Sequence, residues 1–140
     1  MEETGSLQVG SAILVFLSGW HTVQHGSIRP GGQLVIVYEP ERLPHCRLRH
    51  RGADFFSIVV HVRFHPGGQR DAGSLLEDFW NQYGDIGKRP AAFDVLVPLD
   101  AQEVEMWFHN WHYDYRSDYR RCDAWDSRYG QNYHFPVIRE

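Results

Sequence analysis

The run FFSIVVHVRFH, residues 55–65, alternates apolar and polar side chains over its second half. Ile58, Val60, Val62 and Phe64 share one parity; Val59, His61, Arg63 and His65 share the other. A period of two marks a strand with one buried face, because successive side chains leave a pleated backbone on opposite sides. QEVEMWFHN, at 102–110, repeats the pattern. It predicts Val104, Met106 and Phe108 inward and Glu103, Glu105, Trp107 and His109 outward. Strands with one apolar face need a second layer against them, so these two runs already constrain the chain to a layered β architecture.

Other strand signals fill the chain. LQVGSAILVFLSGW (7–20) and QLVIVYEP (33–40) are rich in β-branched residues, and Pro40 ends the second. AAFDVLVPLD (91–100) sets Phe93, Val95 and Val97 on one face, and NYHFPVIRE (132–140) closes the chain with Pro136 at an edge or bulge. Gly/Pro/Asn turns separate the runs at RPGG (29–32), HPGG (65–68), YGDIGKRP (83–90) and RYGQN (128–132). One segment departs from this: GSLLEDFWNQYG (73–84) has Leu75, Leu76, Phe79 and Trp80 at helical spacing and predicts a helical turn. With 140 residues the chain is one domain by length. The expected fold is all-β, a single antiparallel β-sandwich over 1–140, immunoglobulin-like or carbohydrate-binding-module-like, with a jelly roll or a small barrel as alternatives.

Charge and apolar run length narrow the function. A net charge of −4 argues against general nucleic-acid binding, which needs a basic surface. The longest apolar stretch, AILVFL at 12–17, is too short to span a bilayer. The start MEETGSLQVG lacks the basic flank and cleavage site of a signal peptide, so the expected location is the cytoplasm. Cys46 and Cys122 both lie beside turn-like sequence and could close a long loop as a disulfide, or stand as two free thiols. A reducing compartment favours the thiols.

Nine histidines raise the question of a metal. His21/His25 and His61/His65 are four apart, which on a strand means one face but about 13 Å of separation, too far for one ion. A site would need histidines converging from different strands, and scattered histidines are the expectation. Asp114, Asp118, Asp123 and Asp126 alternate with Arg116, Arg120, Arg121 and Arg128, which reads as surface ion pairing. Asp123 and Asp126 remain the calcium candidates, and no other cofactor is expected. No GxSxG elbow, glycine-rich phosphate loop or Cys–His dyad occurs; Cys46 follows His45 directly, and strand neighbours point opposite ways. The densest signal is aromatic: Trp107, Trp111, Tyr113, Tyr115, Tyr119, Trp125, Tyr129 and Tyr133 crowd the last third. Flat rings among polar neighbours stack on sugars or anchor protein interfaces.

WDSRYGQNYHF (125–135) resembles the W-D-N-N-x-G-x-N-Y signature of starch- and glycogen-binding modules, among them the glycogen-targeting subunits of a protein phosphatase. Trp125, Asp126, Gly130, Asn132 and Tyr133 match; Ser127 and Arg128 stand where the signature usually has Asn. VEMWFHN resembles the strand before that loop. The resemblance implies polysaccharide contact through this loop. A structural reading of the same motif has Trp125 plugging the sandwich, Asp126 bonding the N–H groups of a hairpin turn, Gly130 at positive φ, Asn132 bonding across the loop mouth, and Tyr133 starting the last strand. GGQLVIVYEPERLPHCR (31–47), VRFHPGGQ (62–69), FDVLVPLDAQEVEMWFHN (93–110) and CDAWDSRYGQNYHFPV (122–137) also resemble an uncharacterised bacterial family, a domain of unknown function. That resemblance implies a β-sandwich and puts both cysteines in motif positions, which raises the expectation of a disulfide.

The leading expectation is a non-catalytic module binding a glycan or similar polyhydroxylated ligand. Trp107, Trp111, Tyr113 and Tyr115 would stack, with Asp126 and Asn132 as polar partners. The alternative that the resemblance implies is a small bacterial β-sandwich enzyme of natural-product biosynthesis, a cyclase or isomerase with or without calcium, with His109, His112 and Asp114 as acid/base groups. A third reading is an interaction domain, homodimeric through the aromatic patch.

Overall fold

A computed structural model describes residues 10–50, 53–114 and 120–139. The strands are β1 (Ser11–Phe16), β2 (Thr22–His25), β3 (Gln33–Tyr38), β4 (Leu48–His50), β5 (Ala53–Phe55), β6 (Ser57–His65), β7 (Arg70–Ser74), β8 (Leu76–Trp80), β9 (Ile86–Pro90), β10 (Phe93–Leu96), β11 (Glu103–Asp114), β12 (Arg120–Asp126) and β13 (Tyr133–Pro136). A single 3₁₀ turn, Pro40–Arg42, follows β3. The first sheet has the order β10-β3-β1-β2; the second is β12-β11-β6-β7, with β13 also on β11; a smaller third is β4-β5-β9-β8. None closes into a barrel. No helix among the described residues is long and apolar enough to cross a membrane.

The first two sheets stack as a sandwich. Ala12, Leu14, Phe16, Leu34, Ile36, Tyr38 and Val95 face Ile58, Val60, Val62, Phe64, Val104, Met106 and Phe108, all buried. Aromatic contacts lock the layers: the Phe108 ring lies 4.6 Å from Phe16 and 4.4 Å from Tyr38, centroid to centroid. The two alternating runs therefore behave as read, with β6 and β11 adjacent and in register from Glu103↔His65 to Trp111↔Ser57. At one core-facing position of β7 only glycine fits, because a Cβ on Gly73 would come 2.1 Å from a ring carbon of Phe93. Pairing is antiparallel except for β1 with β3 and β5 with β9, which are parallel.

Residues 73–84 do not form the expected helical turn. Leu76–Trp80 pairs antiparallel with Ile86–Pro90, and cross-strand ion pairs join Glu77 to Arg89 and Asp78 to Lys88. The helical spacing of the four apolar residues loses to this pairing, a tertiary override of local pattern. Asn81 makes the reversal: its Oδ1 accepts from the backbone N–H of Tyr83 at 2.8 Å and of Asp85 at 3.0 Å.

Cys46 and Cys122 form a disulfide across 76 positions, not two free thiols. It fastens the loop after the 3₁₀ turn to β12. The same loop is held from below by Asn110, whose Nδ2 donates to Leu43 O at 3.4 Å and to His45 O.

Candidate functional site

The motif at 122–137 is an interrupted strand, not a hairpin. β12 pairs with β11 from Phe108↔Asp126 to Asp114↔Arg120, and β13 pairs with the same edge from Glu103↔Pro136 to Met106↔Tyr133. Both run in one direction, and residues 127–132 bulge out between them, level with Trp107. The bulge is wound through the left-handed region: Arg128, Tyr129 and Gly130 have φ of 50°, 58° and 88°, and Asn132 has 62°. Ser127 stabilises it, its Oγ accepting from Gly130 N–H at 3.1 Å and its carbonyl from Asn132 N–H at 2.6 Å. The winding throws the Tyr129 side chain fully into solvent.

Behind the bulge lies a buried polar floor. Arg42, 2% exposed, donates from Nε to Asp126 Oδ2 at 2.8 Å, from Nη2 to the Tyr133 hydroxyl at 2.8 Å, and from Nη1 to the carbonyls of Leu17 and His21 at 3.0 and 3.2 Å. Tyr38 donates to Asp126 Oδ2 at 2.7 Å, and Tyr133 donates to Oδ1 at 2.5 Å. Burial, then the bond to Asp126, pushes the Tyr133 phenol up to about 12 and drives Tyr38 well above the ordinary tyrosine range. Burial pulls the Arg42 guanidinium down, but Asp126 and Tyr133 outweigh it and hold the group above its usual value. A charge pair this dry persists because each nitrogen of Arg42 and each carboxylate oxygen of Asp126 has a hydrogen-bond partner. Asp126 therefore does not bond the turn's N–H groups as the motif suggested; it anchors the strand to the 3₁₀ turn.

Above this floor an open groove of about 610 Å³ runs between the β1–β2 turn and the bulge. Trp20, Trp125, Tyr129 and Tyr133 line it, with Asp126, Ser127, Arg128 and Gln131. Trp20 is 61% exposed, with the Arg42 guanidinium 4.8 Å from its ring. Trp125 is 55% exposed, so it does not plug the sandwich.

Trp125 also belongs to the outer face of the second sheet, where directly opposed residues share a side. Its indole lies flat on His109, 3.7 Å away and 2° from parallel. His61 follows at 6.4 Å from His109, and Trp107 stacks on His61 at 5.4 Å. Arg63 covers Trp107 and Arg121 covers Trp111. Burial and the neighbouring His109 hold the His61 imidazole below its ordinary range, and among the described residues nothing hydrogen-bonds its Nε2. Two carboxylates flank the row. Asp123 lies 2.6 Å from His109 Nε2 and is held below the usual carboxylate range, first by Arg121 and then by His109. Glu105 accepts from Asn132 Nδ2 at 2.6 Å and lies 2.7 Å from His65 Nε2. Burial pushes Glu105 up, but Asn132, His65, Arg63 and His134 together hold it low.

The strand pleat sorts the sequence-derived candidates. Trp107 lies on this outer face as its parity predicts, Trp111 shares it, and Asn132 bonds across the loop mouth to Glu105. Asp126 belongs to the opposite side, bonded in the floor. His109 and His112 project to opposite faces of β11, His112 opposing Cys122 beside the disulfide, so they cannot act together as acid and base. Asp123 and Asp126 likewise project to opposite faces of β12 and cannot share one calcium ion. The backbone of Tyr113 and Asp114 continues β11 opposite Arg121 and Arg120, while Tyr115 lies outside the described residues. Sequence reasoning missed Trp20, Arg42 and the convergence of His61 with His109. Trp20 sat in a turn, SGWH, with no local pattern to mark it.

A profile described as a family of unknown function (DUF6209) matches residues 6–138. No curated protein and no solved structure matches the chain.

Proposed function

We propose, for a chain that belongs to the DUF6209 family of unknown function, a non-catalytic module that binds a glycan or similar polyhydroxylated ligand in the groove between Trp20 and the 127–132 bulge. The observation that carries this reading is the exposure of Trp20, Trp125 and Tyr129 around one open groove whose remaining wall is polar. Apolar faces of sugar rings pack on such indoles and phenols, while Arg128, Gln131 and Ser127 supply hydrogen bonds to hydroxyls. The resemblance of 125–135 to starch- and glycogen-binding modules supports the same loop. This reading assigns the stacking to Trp20, Trp125 and Tyr129 in the groove, with Trp107 at the adjoining face.

The Cys46–Cys122 bond fits an oxidising compartment better than the expected reducing cytoplasm.

Isothermal titration against soluble α-glucans, with a glycan array for breadth, tests the proposal. Binding should weaken roughly 10-fold in Trp125→Ala and in Trp20→Ala, the loss of one stacking ring. Silence at millimolar ligand across both assays, or full affinity in both variants, would overturn it.

A further inference from the structure

The two outer faces of the sandwich differ in kind. The second sheet shows histidine, arginine and acids outward. The first sheet shows Ile13 and Val15 on β1, Val23 on β2, Val35 and Val37 on β3, and Leu96 on β10, all opposite in parity to the buried core positions. Ile13 is 38% exposed, Val23 37% and Leu96 73%. The central strands read AILVF and LVIVY, apolar on both sides, and they pair in parallel. Parallel strands of this composition ordinarily lie covered on both faces. Among the described residues Val15, Val35 and Val37 are half-buried while Ile13, Val23 and Leu96 are exposed, an apolar face of the kind that serves in docking.

The polar residues on its margin bear on what covers it. One register row crosses the whole sheet: His25 on β2, Ile13 on β1, Val35 on β3 and Asp94 on β10. His25 and Asp94 sit on the two edge strands, three strand spacings or about 14 Å apart, so they cannot meet within one chain. A two-fold axis lying along the strands between β1 and β3 reverses the row. It sets His25 against the Asp94 carboxylate of a second copy, Ile13 against a second Val35, and repeats both contacts by symmetry. The pattern is self-complementary: an apolar middle with opposite partners at its two ends.

We propose that the outer face of the β10-β3-β1-β2 sheet binds a second copy of this chain, forming an isologous dimer with intermolecular His25–Asp94 contacts. Two sheets pack face to face in this way about 10 Å apart. None of His25, Ile13, Val35 and Asp94 lines the groove between Trp20 and the 127–132 bulge, so variants on that row leave the groove's lining unchanged.

Sedimentation equilibrium of the full chain, from low micromolar to several hundred micromolar, tests this. The wild type should dimerise. Val35→Glu, which buries an unpaired charge beside the axis, should raise the dissociation constant at least about 30-fold. His25→Asp and Asp94→His should each weaken assembly about 10-fold by opposing like groups. The combined His25→Asp/Asp94→His chain should recover it, which no contact inside one monomer can explain. Both of those positions are exposed, so the charge exchange reads the interface even where Val35→Glu folds poorly. A monomer at every concentration, a dimer indifferent to the charge exchange, or a combined variant no tighter than the single ones would overturn the proposal.

Discussion

Reduction of the Cys46–Cys122 disulfide should lower stability by about 4.5 kcal/mol. The bond joins residues 76 positions apart. Cross-linking a chain over that length removes roughly 15 cal/mol/K of conformational entropy from the unfolded ensemble, or about 4.5 kcal/mol at room temperature. The native side changes little. Asn110 still holds the carbonyls of Leu43 and His45, and Arg42 still holds Asp126, so the loop keeps its place without the sulfur link. Residual order in the unfolded chain makes the loss at most this large. Unfolding entropy scales with length, and for 140 residues the loss corresponds to a fall in Tm of roughly 15 °C. The assay is thermal and guanidinium unfolding, followed by tryptophan fluorescence and circular dichroism. It compares oxidised wild type, reduced wild type and Cys46→Ser/Cys122→Ser. The reduced and substituted proteins should agree with each other and unfold with a larger m-value, because the unlinked chain exposes more surface. Oxidised and reduced melts within two or three degrees of each other would refute the reasoning. The loop would then be held by hydrogen bonds alone.

Arg42→Ala should cost roughly 3–5 kcal/mol by chemical denaturation, because it strands the buried Asp126 carboxylate; Arg42→Met with Asp126→Leu should recover only part of that loss, since the Tyr38 hydroxyl and the Leu17 and His21 carbonyls lose their partners. Acid should destabilise the fold in two stages. The His61 imidazole is depressed in the folded state, so its contribution is full above pH about 6.5 and declines below it as the unfolded chain takes up a proton the native state resists. Glu105 is depressed too, so its contribution holds above the unfolded carboxylate range and is lost as pH falls through its lower folded value. His134 has the opposite sign: Glu103 raises it, and its contribution fades as pH climbs through the folded value. Melting temperatures across pH 2–9 for wild type, His61→Phe, Glu105→Gln and His134→Gln check both signs; unchanged slopes in the variants would count against them.

The two central strands of the second sheet were legible because burial writes directly into sequence there. Ile58, Val60, Val62, Phe64, Val104, Met106 and Phe108 sit where alternation puts them. The hairpin at 76–90 was not, because its apolar residues suit a helix and only pairing with β9 makes them a strand. The motif at 125–135 was half legible. Its turn residues announced a break in the strand, and Gly130 takes the expected positive φ. Which side each flanking residue faced depended on the register with β11. Asp126 lies opposite the buried Phe108 and inherits its inward face, while Trp125 lies opposite His109 and faces out.

By itself the sequence determined the class of fold: the two-residue period, the apolar runs and the turn residues leave a layered β protein and little else. Tertiary structure decided the site. The floor pairs Arg42 with Asp126 across 84 positions, the groove adds Trp20 from the far side of the sandwich, and the outer row brings His61 to His109 from separate strands. Periodicity is local and survives in one chain. Convergence is set by strand order and register, which the chain fixes only when long-range burial chooses among the pairings its strands allow.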